Sequence, residues 1–211
     1  MFRHLSRWQL AGIGLAGLVL LFAILRMSQQ APASLPVAPV TLPSSESGRI
    51  HFPPNAPGWI ALPGGHREPV QSMLDISKPM KFGDYVWDDS TAPAGPLWIR
   101  IDLARQIISV VRGGHEIGSA VIIYGARDKP TPAGRFTVIQ MAQDYYSRSY
   151  DAPMPYMLRL TEDGVAIHAS HVRPGAATHG CIGVPMAFAR LLFAQARMGD
   201  AVYVEGVAPA A

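Results

Sequence analysis

The sequence predicts a mostly-β domain carrying one packed α-helix, preceded by an N-terminal transmembrane helix. Three observations carry that expectation. Short runs rich in β-branched residues recur from Trp98 onward, each bounded by turn residues. One stretch alone, roughly 186–198, places Phe188, Leu191, Leu192 and Phe193 on an apolar stripe at helical spacing. Residues 10–25, LAGIGLAGLVLLFAIL, form an uncharged apolar run. The 211 residues are 49% hydrophobic and 16% charged, which fits one folded domain with additions and excludes a wholly disordered chain. A single cysteine, Cys181, excludes an intrachain disulfide scaffold.

Trp8 and Gln9 extend the apolar run to 8–25, close to the roughly 20 residues that span a bilayer. Arg3 and Arg7 precede it, favouring a cytoplasmic N-terminus and an exported remainder. The expectation is an uncleaved anchor in the inner membrane, with the rest of the chain on the periplasmic, cell-wall side. A cleaved signal at Ala31-Pro32-Ala33 is the competing reading, opposed by Arg26 at the end of the run and by proline inside the triplet. Arg3, Arg7 and Arg26 also account for the whole net charge of +3, so the remainder is neutral. It has no basic face for phosphates, which excludes a nucleic-acid partner.

The segments follow in order. Residues 1–26 are the anchor or signal, and 27–66 a Pro/Ser-rich tether too poor in apolar residues to order itself. Residues 67–96 are a pre-domain segment, with a short helix over PVQSMLDI and loop chemistry in DDSTAPAGP. The folded domain is 97–206, and 207–211 a tail. WIRIDL and QIISVVR read as a hairpin, and EIGSAVIIYG follows the Gly113-Gly114 turn. RFTVIQM reads as one strand after the breaker-rich KPTPAG. MLRL and GVAIHA pair across Glu162-Asp163-Gly164, and AVYVEG closes the domain after Gly199 stops the helix.

Chemistry concentrates in IHASH (167–171) and THGCIGVP (178–185). A lone Cys among several His is a candidate nucleophile, because thiolate attacks carbonyls and imidazole accepts the proton near neutral pH. Gly180 leaves room for close approach to the backbone, where N–H groups can face an oxyanion. Two plainer readings stand beside this one. Cys181 as a small buried hydrophobe is one. Zinc held by His168, His171, His179 and Cys181 is the other, although their spacing matches no familiar zinc pattern. His4, His51, His66 and His115 read as solvated bystanders. Asp102, Asp128, Asp144 and Asp151 read as local backbone caps. Tyr145, Tyr146 and Tyr150, with Arg148 and Pro153, form either a substrate cover or ordinary loop packing.

With these residues in view, THGCI after a strand ending IHA resembles the signature of the L,D-transpeptidases with a YkuD-type catalytic domain. WIRIDLARQIISVVRGGHEIGSAVIIYG resembles that family's opening hairpin and third strand. TPAGRFTV resembles its TPxGxF turn, PYMLRL leads into the His strand, and GDAVYV resembles its final strand. The resemblance covers 97–206 and implies a YkuD-like β-sandwich or barrel.

It also implies roles. Cys181 is the expected nucleophile and His168 the base, its imidazole oriented by the main-chain carbonyl of Ala169. His179 and Gly180 shape the oxyanion side, and Thr178 supports that loop. Thr178, Arg173 and Tyr156 are expected to bind substrate, and His171 is a fallback base. The donor is a peptidoglycan tetrapeptide stem, attacked at its third residue with release of D-Ala. The acceptor is a second stem amine, a lipoprotein lysine or water, and neither metal nor organic cofactor is expected. Gly183 departs from the Arg or Asn common in the family, and the His168-to-Cys181 loop is short. That departure motivates an alternative, a non-catalytic peptidoglycan-binding module on the same fold. A zinc-dependent hydrolase is the third reading.

Overall fold

The computed structural model describes residues 48–53 and 55–206, all within the unit running from Ser44 to the C-terminus. The expected membrane helix over 8–25 and the tail at 207–211 lie outside the described residues. Among those described, no helix is long and apolar enough to cross a membrane.

Five short strands come first: β1 (Arg49–His51), β2 (Gly58–Ala61), β3 (Arg67–Val70), β4 (Ser72–Leu74) and β5 (Tyr85–Trp87). Next are β6 (Leu97–Asp102), β7 (Ile107–Arg112), β8 (His115–Val121), β9 (Gly134–Thr137) and β10 (Gln140–Ser147). The chain ends through β11 (Ala152–Arg159), β12 (Ala166–Ala169), β13 (Ile182–Val184), helix α1 (Met186–Gln195) and β14 (Ala201–Glu205). One sheet runs in the order β1-β4-β8-β7-β6-β14-β9, with β5 also paired to β8. A second runs β10-β11-β12-β13, and β2 pairs with β3 alone.

Period-2 alternation explains how the sheets pack. In β6, Leu97, Ile99 and Ile101 face a core shared with Ile167, Ala169, Ile182 and Val184 of the second sheet. Helix α1 closes that core with Phe188, Ala189 and Leu192. Each such side chain contributes about 1.5–3 kcal/mol on leaving water. Trp98 points the other way, with Tyr203 of β14, into a satellite cluster roofed by Ile60, Leu62 and Val70. The Trp98 and Tyr203 rings meet edge to face, centroids 6.2 Å apart.

Four sequence expectations differ from this architecture. Residues 48–66, read as tether, hold β1 and β2, and PVQSMLDI runs through β3 and β4 instead of forming a helix. Strands of three or four residues leave no measurable period, and β1 and β4 are held by each other across more than twenty residues. RFTVIQM is two strands: β9 pairs with β14, whereas β10 pairs with β11 in the other sheet. The crossing is Val138, 1% exposed, whose N–H donates to Asp200 O at 3.0 Å. Tyr145 and Tyr146 lie on β10 rather than in a loop, and only Tyr150 sits in the hairpin turn. The hairpin, third strand, His-bearing strand, helix and last strand stand where expected.

Candidate active site

β12 and β13 are parallel, pairing Ile167 with Ile182, His168 with Gly183, and Ala169 with Val184. Ile167 and Ile182 enter the core, so the alternation puts His168 on the opposite face. Cys181, one residue before β13, shares that face and clusters with Ala166, Met154 and Met157. The His168 and Cys181 positions are therefore diagonal neighbours, a relation that spans about 7–8 Å between backbones in a sheet. Each residue keeps 8% of its surface open.

His168 Nδ1 lies 2.8 Å from Ala169 O. A carbonyl oxygen only accepts, so Nδ1 carries the proton and the neutral ring holds its lone pair on Nε2. Burial holds the His168 pKa below 6.5, and the Ala169 carbonyl offsets this in part. Burial likewise pushes the Cys181 thiol up. The Ala166 backbone, Lys129 and Arg159 pull it down less strongly. Both shifts favour the neutral forms, an imidazole at His168 and a thiol at Cys181. The thiol meanwhile donates to Gly164 O at 3.7 Å.

The loop before the cysteine is fixed from three sides. Thr178 Oγ1 donates to Cys181 O at 2.6 Å. Thr178 N–H donates to Tyr124 O at 2.9 Å, and Ala126 N–H to Thr178 O at 3.0 Å. Thr131 Oγ1, from the TPAG turn, donates to Gly180 O at 2.9 Å. Gly180 has φ 102°, a left-handed conformation open to glycine and costly for other residues. Among the described residues, no acceptor takes the N–H groups of His179, Gly180 or Cys181. These N–H groups lie on the cysteine and the two residues before it.

Gly183 has a packing reason. Its N–H donates to Ile123 O at 2.8 Å, and Ile123 N–H to Gly183 O at 3.0 Å. A Cβ there would stand 2.7 Å from both Ile123 Cγ1 and Ser170 Cβ, so no larger side chain fits without movement. Arg173 and His171 are exposed in the loop, and Arg173 makes no described contact with the thiol cluster. Tyr156, at φ 55°, turns toward α1 and packs on Phe193, centroids 5.7 Å apart, while Met154 and Met157 line the thiol cluster. Among the described residues no group of three His, Cys, Asp or Glu is placed to hold a metal ion.

Several neighbours of the site are joined to it by contacts that the sequence does not show. Tyr150 stacks on His179, centroids 4.8 Å apart, and receives a hydrogen bond from Lys129 Nζ at 2.8 Å. Arg159 donates to Tyr145 Oη at 2.9 Å, and Tyr145 packs against the thiol cluster. These contacts join residues twenty or more positions from the cysteine, so no local pattern announces them.

The model of the L,D-transpeptidase catalytic domain, YkuD, matches residues 96–204. An L,D-transpeptidase structure from Stackebrandtia nassauensis is similar with a TM-score of 0.51 and 22% identity. That match covers 56% of this chain and 60% of the other. L,D-transpeptidase 3 of Mycobacterium tuberculosis gives a TM-score of 0.49 and 19% identity, covering 52% and 61%. The Enterococcus faecium L,D-transpeptidase gives 0.48 and 26%, covering 53% and 50%. No curated protein matches the chain. With more than half of its residues matched by the family's model, the chain belongs to the L,D-transpeptidase catalytic-domain family.

Proposed function

We propose that the protein is a cysteine-nucleophile L,D-transpeptidase acting on peptidoglycan stem peptides. The observation that carries this reading is the placement of His168 and Cys181 on one face of the second sheet, with Nδ1 committed to Ala169 O. His168 Nε2 takes the thiol proton as Sγ attacks the carbonyl of the stem's third residue. The oxyanion is held by the N–H groups at 179–181. The C–N bond then breaks, the terminal D-Ala amine leaves with the proton from His168, and a thioester remains on Cys181. An acceptor amine, or water, gives its proton to His168 and releases the acyl group. The amine completes a transpeptidation and water a carboxypeptidation. An exported domain tethered at the inner membrane places this chemistry beside its substrate.

The test is incubation with tetrapeptide-stem muropeptides, followed by mass spectrometry of both product and protein. D-Ala release with an acyl adduct on Cys181, both absent in Cys181→Ala, supports the reading. Muropeptide binding with no adduct and no release assigns the protein to the binding-module alternative. A carbapenem adduct on the Cys181 thiol gives an independent readout of its nucleophilicity.

A further inference from the structure

The β2–β3 hairpin precedes the residues matched by the family model, and it roofs a second cavity of about 500 Å³. The roof is Trp59, Ile60 and Ala61 of β2 with Met73 of β4. The floor is Arg100 and Asp102 of β6, Arg105 of the following turn, and Glu205 at the end of β14. None of these residues belongs to the thiol cluster. The volume lies within the about 300–1,000 Å³ usual for small-molecule sites.

The lining selects a ligand class. Two guanidinium groups face two carboxylates. Arg105 Nη1 meets Asp102 Oδ2 at 2.9 Å, Arg100 Nη2 meets it at 3.2 Å, and Arg100 also pairs with Glu205. Burial works to raise the Asp102 pKa, but the Arg105 N–H and both guanidinium groups hold it down, so the charges cancel. A balanced floor has no net attraction for an anion or a cation, yet it presents donors and acceptors side by side. Arg100 Nε is buried with no hydrogen-bond partner among the described residues. Above, Trp59 is 53% exposed, and the Arg67 guanidinium lies 5.2 Å from its ring centroid. A large aromatic ring left half open at a polar cavity offers a platform for an apolar C–H face. A neutral ligand that combines flat C–H faces with hydroxyls that both donate and accept is a saccharide.

We infer that this cavity is a saccharide subsite, holding one or two neutral sugar rings against Trp59. Identifying that saccharide as the wall's glycan strand rests on the function proposed above; the subsite itself does not. The hairpin then holds the polymer backbone while the cysteine site works on its peptide branch.

The full chain titrated calorimetrically with the tetrasaccharide of N-acetylglucosamine tests the assignment. Saturable binding that weakens about tenfold or more in Trp59→Ala and in Arg105→Ala supports it. Both positions are open to solvent, so the fold survives either change, and Cys181 acylation by a sugar-free stem peptide stays at the wild-type rate. Failure of the wild type to saturate at millimolar saccharide overturns the subsite, as does binding retained in both variants. Saccharide binding that depends on Trp59 while Cys181 never acylates upholds the subsite and removes only the enzymatic reading.

Discussion

Two hydroxyl- or thiol-bearing residues in this molecule stand with a histidine, and they behave oppositely. Ser72 Oγ lies 2.8 Å from His115 Nδ1, which looks like a catalytic dyad. Arg49 Nε and Nη2 both donate to that same oxygen, at 3.2 and 3.0 Å. With both lone pairs taken, the Ser72 hydroxyl donates to His115, and the imidazole is an acceptor bound in place. Ser72 is fully buried, so nothing reaches it. Burial, then the charge of Arg49, holds the His115 pKa down, which keeps that acceptor neutral. At the other site, Nδ1 donates to a carbonyl, Nε2 stays free, and both residues retain open surface. A short distance between nucleophile and imidazole is therefore not a site. The two places differ in which way the ring nitrogen bonds and in exposure, 0% at Ser72 against 8% at Cys181 and His168. Sequence had set His115 among the solvated bystanders; the structure makes it a strut joining β4 to β8.

The sharpest way to break this contrast is to remove each nucleophile. Cys181→Ala is expected to lower D-Ala release by about 10³-fold or more, measured as turnover with tetrapeptide stems. Wild-type release by that variant would return Cys181 to the role of packing residue. His168→Ala is expected to cost about 10²–10⁴-fold in kcat/KM, with the fold intact by circular dichroism.

The pH profile sharpens the same point. Protonating His168 removes the lone pair on Nε2, so kcat/KM falls with acidification, and the midpoint lies below 6.5 because burial lowers that pKa. The same group affects stability in the same direction. Its contribution is present above the unfolded value and is lost as pH falls through the folded one. An acid limb centred above 6.5 would contradict the neutral resting pair.

Smaller effects separate structure from chemistry. Gly183→Ala forces a Cβ into Ile123 and Ser170, with an expected cost of about 1–3 kcal/mol in denaturant unfolding. Ser72→Ala leaves buried donors of Arg49 without their acceptor, costing about 1–3 kcal/mol, while Cys181 acylation at saturating stem stays unchanged. Loss of acylation in folded Ser72→Ala would merge the two regions into one functional unit.

Legibility in the sequence followed range of interaction. β6 and β7 were readable because six strand-forming residues each stand between turn residues, and the Thr-His-Gly-Cys string marked the candidate nucleophile. The tether reading stopped being right at Arg49, because β1 and β4 exist only through pairing across more than twenty residues. The same reason hid the contacts that Lys129, Thr131 and Tyr150 make around the cysteine loop. Tyr156 packs on Phe193 of α1, and Arg173 is exposed in the loop.

The sequence by itself determined the residue types at the site, the alternation that points His168 and Cys181 off the core, and the glycine that frees the backbone before the thiol. These are local properties of neighbours along the chain. Only the tertiary structure decided that β12 and β13 run parallel in this register. It alone let Ile123 fill the space beside Gly183, and folded the N-terminal hairpin over β6 and β14. Those outcomes depend on which surfaces exclude water together, and that is settled between segments far apart in the chain.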